Sequence, residues 1–274
     1  MKKIWDDSRQ FAATSTVNED QAWQKFQKKI HKTPIRRSNW SWARIAASFI
    51  IVAGIGFLAY LLLNDPVEQV AVVAQQEVLI DTIPDGSVVT LNKSSSLSYP
   101  SKFNKGSRNV VLKGEAFFNV VADKEKPFII TVNDVQVTVV GTSFNIKSSN
   151  GLTEVVVEAG TVRVSRAQTT IELTANEKLT VNASDSVLRK EKVEDQLYKY
   201  YRTKEFVCDE TPLWKLVQVI NEAYNSKVVI GNPVIRDMSI TTTFHNESLE
   251  QVLNVISITF NIKVSKEGDS FILQ

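Results

Sequence analysis

Nineteen consecutive residues without a charge, Ile45–Leu63 (IAASFIIVAGIGFLAYLLL), constrain this 274-residue chain more than any other feature. At about 1.5 Å per residue, an α-helix of that length reaches roughly 28 Å, close to the hydrocarbon thickness of a bilayer. A cleaved signal peptide carries a shorter apolar core that begins near the N-terminus, whereas this run starts only at residue 45. A single transmembrane helix over residues 43–63 is therefore expected. Charge orients it: the net +2 of the chain divides into +6 over residues 1–44 and −4 over the rest. Lys32, Arg36, Arg37 and Arg44 precede the span, while Asp65 and Glu68 follow it. The positive-inside rule then keeps residues 1–42 in the cytoplasm and places the bulk of the chain beyond the cytoplasmic (inner) membrane. Trp40, Trp42 and Tyr60 stand where interfacial aromatics usually stand.

The head has one helix candidate, NEDQAWQKFQKKI, in which Asn18 can cap and Glu19 and Asp20 suit the positive end of the dipole. Trp23, Phe26 and Ile30 form one narrow apolar stripe on an otherwise polar helix. So short a segment cannot bury these side chains together with Trp5 and Phe11, and a partner surface is their natural cover. Two other readings stay open: a basic amphipathic helix lying on the anionic inner leaflet, or a topology signal without a partner. The basic residues match no nucleic-acid-reading motif, so direct nucleic-acid binding is not expected.

Residues 64–78 read as a linker, and residues 79–185 as an all-β domain. Nine or ten short apolar runs, among them SVVTLN, NVVLKGEAFFNVV, VQVTVVGTSFNIK and TEVVVEAGTVRVS, are separated by PDG, DKEK, ND, SSNG and AN turns. With no helix between them they make a sandwich, roll or solenoid. The alternation in VVTLN and VRVSR leaves one face wet, whereas VQVTVV and TEVVVE look more deeply buried. The region has neither histidine nor cysteine, which removes the commonest general base and the usual zinc and Cys or Ser–His arrangements. No catalytic, cofactor-binding or metal-binding residue is assigned, and the chain is not expected to be an enzyme. Glu115, inside the apolar run GEAFFNV, has no second titrating group to work with and is expected to support the fold, accepting hydrogen bonds from backbone N–H groups or from Arg108.

After a second linker, residues 186–203, the last part of the chain (204–274) repeats itself. TPLWKLVQVINEAYNSKVVI and ESLEQVLNVISITFNIKV superimpose in their apolar positions, Leu213 on Leu249, Ile220 on Ile256 and Tyr224 on Phe260. Each copy reads strand, helix, strand, so a βαββαβ domain is expected, with both helices on one face of a common sheet. Cys208, in the alternating EFVCD, reads as a small buried residue, and His245 as a polar turn residue rather than a lone zinc ligand.

The β region also resembles a known family. Asp85-Gly86-Ser87, Arg108 with the run to Gly114-Glu115-Ala-Phe-Phe, Lys126-Pro127-Phe128, Val140-Gly141-Thr142-Ser-Phe144 and Glu158-Ala-Gly160-Thr-Val162 are similar, in this order, to the signatures of the FecR-like periplasmic domain. That family comprises membrane-anchored anti-sigma factors of cell-surface signalling, and residues 204–274 resemble the short βαβ modules of secretins and TonB-dependent transducers. The resemblance implies that residues 1–42 bind an extracytoplasmic-function sigma factor through Trp23, Phe26 and Ile30. It further implies that the outer domains meet the signalling domain of an outer-membrane TonB-dependent transporter, that transcription of nutrient-uptake genes (iron or glycan) is controlled, and that site-specific proteases act near the membrane. The competing reading is an anchored periplasmic scaffold or envelope-assembly protein that binds no sigma factor.

Overall fold

The computed structural model describes residues 18–30, 40–63, 67–103, 106–182 and 188–274, and the chain divides into two compact units, residues 1–66 and 67–274. In the first unit, helix α1 (Glu19–Ile30) begins at Asn18, whose Oδ1 accepts from the Gln21 N–H at 3.3 Å. Glu19 and Asp20 occupy its first turn and Lys28 and Lys29 its last, each sign at the favourable end of the dipole. Helix α2 (Trp40–Leu63) is apolar beyond Arg44 on every side, and among its described side chains Phe49, Ile50 and Val52 are exposed. A core helix of a soluble domain would be buried; none of the apolar window Arg44–Leu61 is. Several residues used above, namely Trp5, Phe11, Lys32, Arg36, Arg37 and Asp65, lie outside the described residues, as do the side chains of Ile30 and Trp40.

In the second unit, two seven-stranded sheets pack face to face. The first runs β1 (Gln69–Ala74), β4 (Ser95–Pro100), β5 (Arg108–Lys113), β7 (Phe128–Val132), β8 (Val135–Val139), β11 (Thr161–Arg166), β12 (Thr169–Thr174). The second runs β14 (Lys190–Lys192), β13 (Glu177–Asn182), β10 (Leu152–Ala159), β9 (Ser143–Ser149), β6 (Glu115–Asn119), β3 (Val88–Leu91), β2 (Leu79–Thr82). From β2 onward the chain lays strands two at a time in each sheet in turn, β6 alone being single, and advances along both, so the solenoid and sandwich readings merge. Neighbours are antiparallel except β5 and β7, which pair in parallel because β6 crosses to the other sheet between them. Phe118 packs on Phe144 (ring centroids 5.3 Å) and edge-on to Phe128 (6.2 Å), at the centre of a core that includes Val89, Leu112, Ile130, Val155 and Val164.

The remaining elements are helix α3 (Tyr200–Thr203), β15 (Glu205–Pro212), α4 (Leu213–Tyr224), β16 (Lys227–Ile230), β17 (Ser239–His245), α5 (Leu249–Phe260), β18 (Val264–Glu267) and β19 (Ser270–Leu273). The repeat is visible in the helices: both have twelve residues, and both end at an asparagine in the left-handed region, Asn225 and Asn261. Ser248 and Gln251 close α5 with a reciprocal capping box.

Five expectations are corrected. Residues 64–78 are not all linker, because Val70, Val72 and Ala74 turn inward and β1 pairs with β4 from Gln69↔Pro100 to Ala74↔Ser95. Residues 186–203 hold β14 and α3, with Leu188 in the sandwich core and Leu197 in the C-terminal one. The C-terminal domain has not one sheet but two, β15–β17 and β16–β19–β18. A last strand, β19, missing from the βαββαβ reading, lies between the two repeat strands, parallel to β16 and antiparallel to β18. Finally, VQVTVV is buried on one face only, since β8 belongs to the sheet whose outer face is wet.

Gly114 makes the bend that carries the chain from one sheet to the other. Its φ is +88°, and a Cβ there would lie 2.9 Å from Ser95 Cα and closer still to Ser95 Oγ. Gly114→Ala is expected to lower stability by at least about 2 kcal/mol in urea unfolding. Gly106→Ala, where a Cβ meets nothing within 4 Å, should change it by less than about 0.5 kcal/mol.

Candidate functional site

The residues that carried the family resemblance gather at three places. At one corner of the sandwich Arg108, 2% exposed, donates from Nη1 to Asp85 Oδ2 at 2.7 Å and to the Val121 carbonyl at 2.8 Å, and from Nε to the Lys126 carbonyl at 2.8 Å. Asp85 also accepts from the Ser87 N–H and hydroxyl, and Ser87 Oγ accepts from the Val121 N–H. The Arg108 backbone N–H donates to the Pro127 carbonyl, its guanidinium lies 5.4 Å from the Phe128 ring centre, and Gly86 completes the turn beside Asp85. The Arg108 bonds and the Val121 N–H to Ser87 bond tie separate segments together, while Ser87 and Asp85 close their own turn. At the second place Gly141 lies against Ala122 so closely that a Cβ would come within 2.7 Å of its Cα. The neighbouring Thr142 hydroxyl donates to the Thr161 carbonyl, Gly160 abuts Thr142, and Phe144 enters the core.

The third place is Glu115. As the alternation of GEAFFNV requires, Ala116 and Phe118 point into the core and Glu115 and Phe117 to the outer face of the second sheet. That face is covered by the C-terminal domain. Glu115 accepts from Asn92 Nδ2 at 2.9 Å and Asn145 Nδ2 at 3.0 Å, not from Arg108, which is committed to Asp85 on another face. Burial raises the Glu115 pKa, against the pull of Lys147 and the two asparagine amides. Burial also disfavours the Lys147 charge, but Glu115 and Glu222 outweigh it and hold the ammonium up. Lys147 Nζ meets Glu222 Oε2 at 2.5 Å, Lys93 donates to the Ala223 carbonyl, and the Tyr201 hydroxyl donates to Asn145 Oδ1 at 2.7 Å. Arg202 pairs with Glu158 at 2.5 Å and lies 3.6 Å above the Phe117 ring centre. A cavity of about 770 Å³, lined by Glu115, Lys147, Asp195, Tyr198, Trp214 and Lys215 among others, occupies the seam.

Sequence reasoning missed Asn92, Asn145 as a hydrogen-bond partner, Tyr201, Arg202 and Glu222. One signal was present: YKYYR (Tyr198–Arg202) is too aromatic for a solvated linker. Cys208 is buried, its thiol pushed up to about 12 by burial, and His245 Nδ1 lies 3.0 Å from Glu205 Oε1 at the surface. Trp23 and Phe26 stand exposed on α1 with stacked rings, centroids 5.8 Å apart.

Two family models match in succession, FecR protein over residues 70–163 and FecR, C-terminal, over residues 205–273, and so define the class of the second unit. Two crystal structures of a candidate anti-sigma factor from Parabacteroides distasonis ATCC 8503 are similar to it, each 32% identical in sequence and covering 75% of this chain and 98% of theirs. Their TM-scores are 0.64 and 0.63. No curated protein matches the chain by sequence. The chain belongs to the FecR family of anti-sigma factors. Its role is accordingly regulatory, in signalling through a sigma factor.

Two substitutions separate the clasp from the seam. Arg108→Leu strands the Asp85 carboxylate in a nearly closed corner and should cost about 3–5 kcal/mol in urea unfolding. Glu115→Gln leaves one asparagine amide without its acceptor and should cost about 1–3 kcal/mol. Because folding raises the Glu115 pKa, its contribution is full below the unfolded value of about 4.3 and is lost as pH rises through the folded value. The gap between wild type and Glu115→Gln should therefore be widest near pH 4 and narrow toward pH 8. A gap that widens with pH would mean that Lys147 dominates burial.

Proposed function

We propose that this protein is a single-pass inner-membrane anti-sigma factor, its N-terminus cytoplasmic and residues 67–274 periplasmic. It relays the state of an outer-membrane TonB-dependent transporter to an extracytoplasmic-function sigma factor that transcribes nutrient-uptake genes, and site-specific proteolysis near the membrane releases the head. The observation that carries this reading is the bare aromatic pair Trp23 and Phe26 on a twelve-residue helix. An isolated helix of that length is marginal in water, and two large exposed rings make it worse unless a partner covers them. An apolar groove on the sigma factor is that cover, with Trp23 and Phe26 as its anchors and Ile30 extending the stripe. The span α2, uncovered along its length, and the excess of positive charge before it support the placement of the head opposite the FecR unit. With the sigma factor on one side and the transporter's signalling domain on the other, the chain itself needs no ligand or cofactor.

The test is capture of the full-length protein from detergent-solubilised membranes of its own cell. Wild type should retain a sigma factor, and Trp23→Ala/Phe26→Ala should lose it by about 100-fold or more, as the removal of two anchor residues implies. Retention by the double mutant would place the contact elsewhere. No sigma factor with wild type would favour the periplasmic scaffold.

A further inference from the structure

We propose that the C-terminal domain is a detachable cover, held on the outer face of the second sheet by a polar latch centred on Tyr201 and Arg202. The sandwich and the C-terminal domain each have their own hydrophobic core, and among the described residues the two share no member. What joins them is a set of side-chain tips: Tyr201 to Asn145, Arg202 to Glu158 and over Phe117, Lys147 to Glu222, and Lys93 to the Ala223 carbonyl. Helix α3 divides its residues between the two bodies. Tyr200 stacks on Phe206, 3.9 Å between ring centres, and belongs to the C-terminal core, while Tyr201 and Arg202 reach the sandwich.

Three features make this contact separable. Joints of this polarity resemble transient interfaces, in which relative domain motion is the ordinary outcome. The seam is incompletely filled, and its buried carboxylates are already matched within the protein. Glu115 is held by Asn92 and Asn145, and Asp195 by Lys215 at 2.7 Å and the Leu197 N–H at 3.2 Å. The cavity therefore offers no unmatched buried charge to a ligand and is the gap left where two separately packed bodies meet. Lastly, Arg202 Nε is buried without a hydrogen-bond partner in the docked arrangement, a donor that water would satisfy on opening. Opening would uncover Phe117 and Val156, two apolar residues bordered by Glu115, Asn145 and Lys147. The latch stands independently of the signalling reading, which bears only on what opens it.

The experiment is pulsed EPR on the full chain in lipid nanodiscs, with nitroxides at Val111→Cys on the outer face of the first sheet and Ile258→Cys on α5, both exposed in the native protein. The native Cys208 is buried and its thiol poorly ionised, so it resists labelling. The parent should give one dominant narrow distance. Tyr201→Phe/Arg202→Ala should raise the ratio of long, broad distances to the narrow one at least tenfold. Glu222→Lys, a partly exposed position in neither core, should move it in the same direction. Arg163→Ala, which breaks an exposed pair with Glu172 on the first sheet, should leave the distribution unchanged. Because Glu222→Lys disturbs no core, it decides the matter should the double variant fail to fold by near-ultraviolet circular dichroism. Distributions that stay narrow in both variants, or a parent already as broad as the variants, would overturn the latch.

Discussion

The second sheet has to be covered on both faces, and much of the architecture of residues 67–274 follows from how each face is covered. Its inner face meets the first sheet across a dry core of phenylalanine and β-branched residues, where burial of apolar area supplies most of the stabilisation. Its outer face carries Glu115, Asn145, Lys147 and Glu158 around Phe117 and Val156. Such a face cannot be covered by an ordinary apolar helix without stranding its charges. It is met instead by groups of opposite polarity: an arginine, a tyrosine hydroxyl and a glutamate from the C-terminal side. One strand thus has two kinds of partner. Burial makes the inner contact strong and unspecific, whereas on the outer face charge and hydrogen-bond geometry make the contact weaker and selective.

The same division explains what was legible in the sequence. Period-two alternation identified most strands of the sandwich, because the core reads only apolarity. The 36-residue repeat identified α4 and α5, because both copies obey the same helical stripe. Alternation did not show which strands have a covered outer face: β8 and β10 look alike as strings, but only β10 lies beneath the C-terminal domain. Glu115 was assigned the wrong partner for a related reason. Arg108 is near it in sequence, but Gly114 turns the chain into the other sheet, and Asn92 and Asn145 reach it through pairing with β6. The last strand, β19, escaped notice because it lies outside the repeat, and β1 because three polar residues, Gln75, Gln76 and Glu77, separate it from the apolar run that follows.

Most of the positions through which the family was recognised serve the sandwich itself, while Glu115 and Glu158 lie at the seam with the C-terminal domain. Asp85 and Arg108 tie loops together in a closed corner, Gly114 and Gly141 permit close backbone crossings, and Phe128 and Phe144 fill the core. A signature of this kind specifies a scaffold and leaves partner choice to other residues. The residues proposed above for partner contact are of a different type: exposed aromatics on α1 and charged tips along the seam. Neither group bears on how the strands pair, so either can change while the sandwich persists. Under the proposed function, a chain that couples two compartments through one helix would benefit from that separation, since its contacts on each side can be tuned to a partner without disturbing the core that holds residues 67–274 together.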